Sequence, residues 1–280
     1  MLRISEISFP GLGIDNFFVD SEAFSIFGVS IAWYAVIITC GMLCAIIYAT
    51  LQAKKIGVTL DDITDFALWT IPIGIIGARL YYVLTSLERF ETFEDVINIR
   101  NGGLAIYGGI IAGAATVFVV SKIKKIDFLA LADCVAPGVL LAQGIGRWGN
   151  FFNQEVYGAC VDPEKMKWLP SFIREQMMGN STIHCPTTQM AQPLFLYESM
   201  CNFVGWILLT FVLPKFWVKG RVKGDIGCLY FVWYGIVRVI MEPLRHPEFI
   251  MQMGNVRTSV LTSILFIIGG VLGMVALRVV

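Results

Sequence analysis

The sequence predicts an all-α integral membrane protein, a seven-transmembrane helix bundle with a long extracytoplasmic segment between helices four and five. Of its 280 residues, 56% are hydrophobic and only 15% are charged, and the mean hydropathy is +0.71. Soluble domains carry about 25% charged residues, so the composition excludes an ordinary soluble fold. The formal net charge is zero, which argues against nucleic acid as a partner. With only two histidines and no Cys-x-x-Cys, we expect no metal and no other cofactor.

Seven apolar stretches follow a short N-terminal lead-in, and each is near the ~20 residues that cross a bilayer. They cover residues 26–50, 64–85, 102–121, 128–146, 193–214, 225–242 and 258–278. We therefore expect one membrane domain over residues 1–280. The segment 147–192 is too long for a simple connection. It is either a partly ordered amphipathic stretch at the membrane surface or a plain flexible loop.

Basic residues predict the orientation of the bundle. They occupy alternate connections: Lys54 and Lys55; Lys122, Lys124 and Lys125; Lys215, Lys219, Arg221 and Lys223; and Arg278. Short cytoplasmic loops carry an excess of Lys and Arg. We therefore expect the C-terminus to be cytoplasmic, and the N-terminus, the 86–101 loop, the 147–192 segment and the 243–257 loop to face outward.

Cys160 and Cys185 both lie in the long outer segment. A disulfide between them would restrict the unfolded segment by roughly 3 kcal/mol in the chain-entropy model. The alternative is two unpaired thiols. Because the chain has seven cysteines, an odd number, and the other five lie in apolar runs, the sequence slightly favours the unpaired state.

Polar residues enter the chain where the fourth span ends, between Gly146 and Gly158. If this segment is helical, Asn150, Gln154 and Glu155 follow Arg147 at offsets of three, seven and eight, and the four residues share one face. A charge at membrane depth is costly and usually functional. A solvated helix end would explain any one of these residues but poorly explains all of them. We expect Glu155 to be the resting partner of Arg147.

Two other spans carry charges. Tyr234, Arg238 and Glu242 form one stripe at i, i+4 and i+8, which is either functional or an ion pair that only fixes helix packing. Pro243 is expected to bias Glu242 away from helical backbone and to end the span. In span two, Arg79 either belongs to a site or extends to the outer interface.

The third span opens with paired glycines on either side of Tyr107, at residues 102–103 and 108–109. This arrangement predicts a loosened helix start with tight contacts. Taken alone, it is also explained by packing, with Gly109 and Gly113 as a small-residue helix contact.

Residues 146–158 resemble the signature of the prolipoprotein diacylglyceryl transferases, Gly-Arg-x-Gly-Asn-Phe-x-Asn-x-Glu-x-x-Gly. Its eight fixed positions are met by Gly146, Arg147, Gly149, Asn150, Phe151, Asn153, Glu155 and Gly158. The resemblance continues in Trp33-Tyr34, Gly77-Ala78-Arg79, the glycine pairs around Tyr107, Pro193 with Tyr197 and Glu198, and Tyr234 with Arg238. Two positions depart from the family: Tyr107 stands where several members have His, and Gln192 replaces another His.

The resemblance implies a bacterial plasma-membrane enzyme of lipoprotein biosynthesis. Such enzymes take phosphatidylglycerol and transfer its diacylglyceryl group to the lipobox cysteine in the signal peptide of a prolipoprotein. The side chains suit this reaction, because the planar fork of Arg holds phosphate, whereas hydrolysis usually needs a nucleophile or metal from the protein. The expected partners are these two substrates and the surrounding membrane lipids.

The expected catalytic residues are Arg147 and Arg238, which would stabilise the departing phosphate, and Tyr107. Tyr107 would accept or relay the thiol proton, unless nearby Arg charge lowers the thiol pKa without a dedicated base. The expected substrate-binding residues are Arg147, Asn150, Asn153, Glu155, Gly158, Tyr34, Tyr234, Glu242 and Arg245. The alternative function is a membrane transporter or binding protein for an anionic, phosphate-bearing substrate. It is less favoured because the sequence shows no internal repeat.

Overall fold

The computed structural model describes residues 4–9, 14–20, 22–26, 29–90, 92–99, 102–217, 219–250, 252–253 and 256–279. Within these residues, seven helices are long and apolar enough to cross a membrane: Trp33–Ile56, Leu60–Thr85, Ile106–Ile123, Phe128–Asn153, Leu194–Phe216, Asp225–Leu244 and Thr258–Val279. The predicted all-α membrane fold is confirmed. The chain divides into two compact units, one formed by residues 1–45 with 135–280 and the other by residues 46–134. The single membrane domain stays a prediction.

The described part of the N-terminal lead-in forms two antiparallel hairpins. Strand β1 (Ile4–Phe9) pairs with β2 (Ile14–Asp20), and β3 (Glu22–Ile26) pairs with β4 (Val29–Ala32). Helix α1 follows directly and covers Trp33–Ala53. The prediction that the first span starts at residue 26 is therefore wrong, and residues 27–28 of that span lie outside the described residues.

The unit of residues 46–134 is built on two long helices joined by a short one: α2 (Leu60–Thr85), α3 (Phe93–Ile97) and α4 (Ile106–Ile123). The first turn of α2 is closed by a capping box, in which the Thr59 side chain and the Asp62 carboxylate each accept the other residue's backbone N–H. Lys124, after α4, is ion-paired to Asp62 at 2.8 Å and to Asp65 at 2.6 Å.

The contact between α2 and α4 uses small residues, as predicted. A methyl group placed on Gly109 would lie 3.5 Å from Cβ of Ala78, and one on Gly113 would lie 3.5 Å from the Thr70 methyl. Both glycines thus face α2, and the packing interpretation of this pair is confirmed. Asn101, which precedes the first of the paired glycines at residues 102–103, lies outside the described residues.

The remaining elements follow α5 (Phe128–Asn153) in chain order. They are β5 (Cys160–Val161), α6 (Ser171–Gln176), β6 (Met190–Ala191), α7 (Leu194–Ile207) with a π-turn over Leu208–Val212, α8 (Leu213–Phe216), α9 (Asp225–Met241), β7 (Gln252–Met253), β8 (Val256–Arg257) and α10 (Thr258–Val279). Two short pairs of strands, β5 with β6 and β7 with β8, are antiparallel.

Side-chain hydrogen bonds join the helices of the larger unit. The Ser199 hydroxyl on α7 donates to the Gly144 carbonyl on α5 at 2.8 Å, and the Trp233 indole on α9 donates to the Cys201 carbonyl on α7 at 3.1 Å. Arg278 near the end of α10 holds the buried Asp225 carboxylate at the start of α9 through two bonds of 2.9 Å. Ser199, Trp233 and Asp225 thus each have a partner for a polar group in an apolar environment.

One predicted span end and one predicted backbone conformation are wrong. Helix α5 continues past residue 146 to Asn153, because a glycine weakens a helix by only about 1 kcal/mol and does not end one that is packed on both sides. Glu242 keeps helical backbone angles of −59° and −41° and starts a 3₁₀ turn over Glu242–Leu244. Pro243 is accommodated in the first turn of that short helix, where its missing N–H costs nothing.

Residues 147–192, called the outer segment after their predicted location, are ordered around an apolar cluster of their own. Its core includes Tyr157, Met177, Ile183 and Met190, each at most 2% exposed. The interpretation of this segment as a plain flexible loop is wrong. Its placement at the membrane surface stays a prediction.

Cys160 and Cys185 form a disulfide across this segment, with their Cα atoms 5.6 Å apart. The slight preference for unpaired thiols is therefore wrong. The odd number of cysteines is no argument against the bridge, because the other five thiols all lie on helices outside the 147–192 segment.

Candidate functional site

Three arginines from two helices and one turn converge on a single carboxylate, that of Glu198 in the first turns of α7. Arg147 Nε lies 2.6 Å from Glu198 Oε2. Nη1 of Arg238 and Nη2 of Arg245 each donate to Glu198 Oε1 at 3.3 Å. Glu198 is only 3% exposed. A buried carboxylate is stable as an anion only when it is paired in this way.

A second carboxylate, Glu242, lies in the same cluster and is fully buried. Its Oε2 is 3.4 Å from Nη2 of Arg238 and 3.8 Å from Nε of Arg245. Neither of its oxygens has a hydrogen-bond partner among the described residues. The predicted Arg238–Glu242 contact is present, but it is the longer and looser part of a larger network.

The cluster is positively charged and still has donors to offer. Three guanidinium groups face two carboxylates, which leaves one positive charge in excess. Arg147 is paired through Nε, a quarter of its side chain is exposed, and no described residue accepts a hydrogen bond from its two terminal amino groups. Burial, together with the neighbouring Arg238, lowers the pKa of Arg245, while Glu198 and Glu242 oppose that shift. An additional anion would reduce the repulsion among the three cations.

The turn that ends α5 separates the polar residues of the 146–158 motif. Glu155 is not the partner of Arg147, and that prediction is wrong. Its Oε1 accepts hydrogen bonds from the side-chain amides of Asn150 at 3.1 Å and Asn153 at 3.4 Å. The expected common helix face is also wrong beyond Asn153, because Gln154 adopts a left-handed φ of 51° and leaves the helix.

Gln154 serves the outer segment instead. Its side-chain amide donates to the Gln176 carbonyl at 2.7 Å, and the Gln176 amide donates to the Phe151 carbonyl at 3.0 Å. These reciprocal bonds fasten the end of α6 to the end of α5, and they stabilise a backbone conformation that few residues other than glycine adopt.

Tyr34, near the start of α1, lies beside the motif. A methyl group on Gly149 would be 2.8 Å from Cδ2 of the Tyr34 ring, so the glycine lets the ring pack directly on α5. The structure thus places Tyr34 against the motif at Gly149.

Gly158 and Tyr234 are placed at the margins of this arrangement. Gly158 is buried and its N–H donates to the Gln192 carbonyl at 3.0 Å, so its contribution is to the backbone of the outer segment. The Tyr234 ring stacks on Tyr230 at 6.2 Å and meets Phe266 edge-on at 5.9 Å. No described contact joins Tyr234 to the arginine cluster.

Tyr107 belongs to the unit of residues 46–134. It is the second residue of α4, its side chain is 41% exposed, and its ring lies 6.5 Å from that of Tyr81. The phenol is therefore accessible at the start of a helix.

The outer segment is joined to the turn after α9 by a buried tyrosine. The Tyr157 hydroxyl accepts the His184 backbone N–H at 2.8 Å and donates to the Glu248 carboxylate at 3.2 Å. Glu248 also pairs with the His184 ring at 2.8 Å. Burial raises the pKa of the Tyr157 phenol, which keeps it protonated as a donor. Sequence reasoning named neither Tyr157 nor Glu248.

The residue that sequence reasoning most clearly missed is Glu198. It was noted only as part of a family element, although it is the centre of the cluster. A glutamate five residues after a proline in an apolar span is a signal for a buried ion pair, but its partners come from other helices and no spacing points to them.

Comparison with known proteins places this arrangement in a family. The family model described as prolipoprotein diacylglyceryl transferase matches residues 21–276. The protein of Clostridium perfringens (strain 13 / Type A) named phosphatidylglycerol–prolipoprotein diacylglyceryl transferase 1 is 44% identical over 253 residues, which are 90% of this chain and 92% of that protein.

Two further relatives carry the name phosphatidylglycerol–prolipoprotein diacylglyceryl transferase. One from Streptococcus equi subsp. equi (strain 4047) is 42% identical over 251 residues, or 89% of this chain and 92% of its own. One from Lactococcus lactis subsp. cremoris (strain MG1363) is 40% identical over 272 residues, or 97% of each chain. With a matched motif, a family model over nearly the full length and relatives at this identity, the chain belongs to the prolipoprotein diacylglyceryl transferase family.

Proposed function

We propose that this protein transfers the diacylglyceryl group of phosphatidylglycerol to the thiol of the lipobox cysteine of a prolipoprotein. The products are a thioether and glycerol phosphate, and the reaction is the first step of bacterial lipoprotein maturation. Family membership and the names of the relatives support the reaction class. The structural observation that most directly supports this transfer chemistry is the convergence of Arg147, Arg238 and Arg245 on Glu198.

The bond changes explain why positive charge is needed. The cysteine sulfur attacks the glyceryl carbon that carries the phosphate ester, so that an S–C bond forms while the C–O bond breaks. The electron pair of that bond leaves with the phosphate oxygen. A phosphodiester with one negative charge becomes a monoester that carries up to two near neutral pH. The excess positive charge of the cluster and the free donors of Arg147 stabilise this developing charge.

The thiol must lose its proton to attack, since the thiolate is the nucleophile and a free cysteine has a pKa of about 8.5. Tyr107 is our candidate for accepting or relaying that proton. A neutral phenol is a weak base, so the competing proposal is that arginine charge lowers the pKa of the substrate thiol directly.

The remaining predicted residues have assignable roles around the lipid. Glu155, held by Asn150 and Asn153, offers hydrogen-bonding groups suited to the hydroxyls of glycerol. Tyr34 packs on the same turn. Glu242 and Arg245 belong to the charged cluster, whereas Gly158 contributes to the backbone of the 147–192 segment and Tyr234 packs on Tyr230 and Phe266.

We place the protein in the bacterial plasma membrane as a multi-pass protein with its N-terminus outside and its C-terminus in the cytoplasm. The alternating lysine-rich connections support this orientation. The Cys160–Cys185 disulfide also supports it, since disulfides persist in oxidising compartments outside the cytoplasm. A reporter that is active only in the cytoplasm, fused after Lys165, should be silent. An active reporter would reverse the orientation.

The reaction is tested by mass spectrometry. A lipobox peptide is incubated with purified protein and phosphatidylglycerol, and the expected result is a mass gain of one diacylglyceryl unit on the cysteine. A peptide with Ser in place of that cysteine should gain nothing. Lipid binding without any transfer would contradict the proposal and favour a binding protein or transporter for phosphate-bearing substrates.

A further inference from the structure

Arg79, in the second half of α2, uses every N–H donor of its guanidinium on backbone carbonyls. Nε donates to Val96 at 2.8 Å. Nη1 donates to Gly102 and to Gly103, both at 2.8 Å. Nη2 donates to Asp95 at 2.6 Å and to Asn98 at 2.9 Å. A guanidinium has five such donors, so none is left for a lipid phosphate. Arg79 is therefore neither a phosphate ligand nor a side chain that merely reaches the interface.

The five carbonyls lie on the segment that leads from α3 into α4. Asp95 and Val96 are in α3, Asn98 follows it, and the two glycines come just before α4 begins at Ile106. One further bond fixes the junction, from the Ala105 N–H to the Ala78 carbonyl at 3.0 Å. Since Ala78 precedes Arg79 in α2, two adjacent residues of one helix hold the start of another.

The aromatic residues around the guanidinium complete the site. The guanidinium carbon of Arg79 is 5.2 Å from the centre of the Phe90 ring and 5.8 Å from that of Tyr82. Cations over aromatic faces at this range are attracted to them. The charge is thus stabilised by carbonyl dipoles and rings, and no carboxylate of a described residue pairs with it.

We propose that Arg79 is a positioning residue for Tyr107: it fixes the chain that enters α4, and thereby the phenol on the first turn of that helix. The role of Tyr107 in proton transfer rests on the function proposed above. Lysine cannot replace Arg79, because an ammonium has three donors and lacks the planar fork that reaches carbonyls on two sides.

The first test is Arg79→Lys, measured by steady-state kinetics with phosphatidylglycerol and a lipobox peptide. We expect kcat to fall about 10-fold, the effect of one misplaced hydrogen-bonding group, with KM for the lipid within about twofold of wild type. Arg89→Lys is the matched control. Arg89 is an exposed arginine between α2 and α3, and its side chain donates one hydrogen bond to the Tyr82 hydroxyl at 3.0 Å. Replacing it should leave kcat unchanged. A kcat near wild type for Arg79→Lys would overturn the proposal.

A double-mutant cycle separates positioning from general stability. If Arg79 acts through Tyr107, adding Arg79→Lys to Tyr107→Phe should lower kcat less than about twofold further. If the two effects multiply, Arg79 acts on something else and the proposal is wrong. A generally destabilised fold would lower activity in both backgrounds.

The two glycines provide a second route should Arg79→Lys not fold. Gly102 and Gly103 both have left-handed φ angles, of 84° and 81°, so alanine carries the same backbone cost at either position. A Cβ at residue 103 would lie 2.5 Å from Nη1 of Arg79 and 2.6 Å from the Tyr82 ring, whereas no described atom lies within 4 Å of one at residue 102. Gly103→Ala should reproduce the kcat defect, and Gly102→Ala should show clearly less. Equal effects would contradict the proposal.

Hydrogen–deuterium exchange tests the contact without any catalytic readout. Backbone amides of residues 105–110 should exchange at least about 10-fold faster in Arg79→Lys and in Gly103→Ala than in wild type. Unchanged protection would overturn the proposal. If the wild-type protein transferred no lipid at all, the proposed function would fail, and this measurement would still decide whether Arg79 fixes the start of α4.

Discussion

Arg147 and Arg79 occupy similar sequence settings, each a single arginine within two residues of a glycine in an apolar span, yet their surroundings differ. Arg79 is enclosed by neutral carbonyls that take up all five of its donors. Arg147 is paired with a carboxylate through Nε, and it shares that carboxylate with two other arginines. The Arg79 guanidinium therefore has no donor left for a ligand. The cluster around Arg147 keeps one excess positive charge and the two terminal amino groups of Arg147.

The difference shows what makes an arginine in a membrane protein structural or functional. Both arginines satisfy the demand that a buried cation must have partners. A set of backbone carbonyls accepts a hydrogen bond from every donor of the guanidinium, so no donor remains for a ligand. A shared carboxylate holds several cations close together without neutralising them, and it thereby leaves a place for a second anion.

The largest effect is expected from removing the centre of the charged cluster. Glu198→Gln leaves three guanidinium groups with only Glu242 as a counter-ion, and breaking a buried pair in this way typically costs about 3–5 kcal/mol. Thermal unfolding in detergent should show a large loss of stability. A variant with wild-type stability would show that the arginines do not depend on Glu198, and the contrast with Arg79 would disappear.

Arg147→Lys tests whether the free donors of Arg147 act on the phosphate. The charge is kept but the fork is lost, so transfer should slow at least ~100-fold, the usual order for one lost transition-state donor. Protein abundance and unfolding temperature should stay near wild type. The rate per folded molecule is the quantity to measure. Near-normal turnover in a stable variant would reduce Arg147 to the structural role that Arg79 has.

Tyr107 tests the proposed role of Arg79 from the side of the residue that it positions. Tyr107→Phe should lower the rate about 10-fold, the value of one hydrogen bond of ~1.4 kcal/mol. Tyr107→His should retain more activity than the Phe variant, since it keeps a hydrogen-bonding group. Full activity of Tyr107→Phe would show that the ring alone matters and would favour direct activation of the thiol by arginine charge.

The smallest effect is expected from Glu242→Gln. Neutralising Glu242 removes a counter-ion, but it also relieves a buried carboxylate whose oxygens have no described hydrogen-bond partner. These effects oppose each other, so the free energy of unfolding should stay within about 1 kcal/mol of wild type. Chemical denaturation alongside Glu198→Gln provides the comparison. A loss as large as that of Glu198→Gln would make the two carboxylates equal partners.

Sequence reasoning succeeded where the information is local. Span length and hydropathy predict the helices to within several residues, because crossing a bilayer imposes a length and a composition. The i, i+4 spacing of Arg238 and Glu242 predicts their contact, because both lie on one helix face.

Sequence reasoning failed where the partner of a side chain comes from another part of the chain. Glu198 meets Arg147 across 51 residues of sequence, and no periodicity within one helix reveals such a pair. Gln154 leaves the helix because Gln176 binds it, an interaction with a segment whose structure the sequence pattern does not specify. Arg79 is ambiguous in sequence, since its partners are backbone carbonyls, which carry no residue signature.

The Cys160–Cys185 bridge has a consequence for an enzyme whose substrate is itself a thiol. A free cysteine on the 147–192 segment would be a second nucleophile in the same molecule, able to compete with the thiol of the incoming peptide. Joined to each other, the two sulfurs cannot attack. The disulfide therefore removes both thiols from that competition for as long as it stays oxidised.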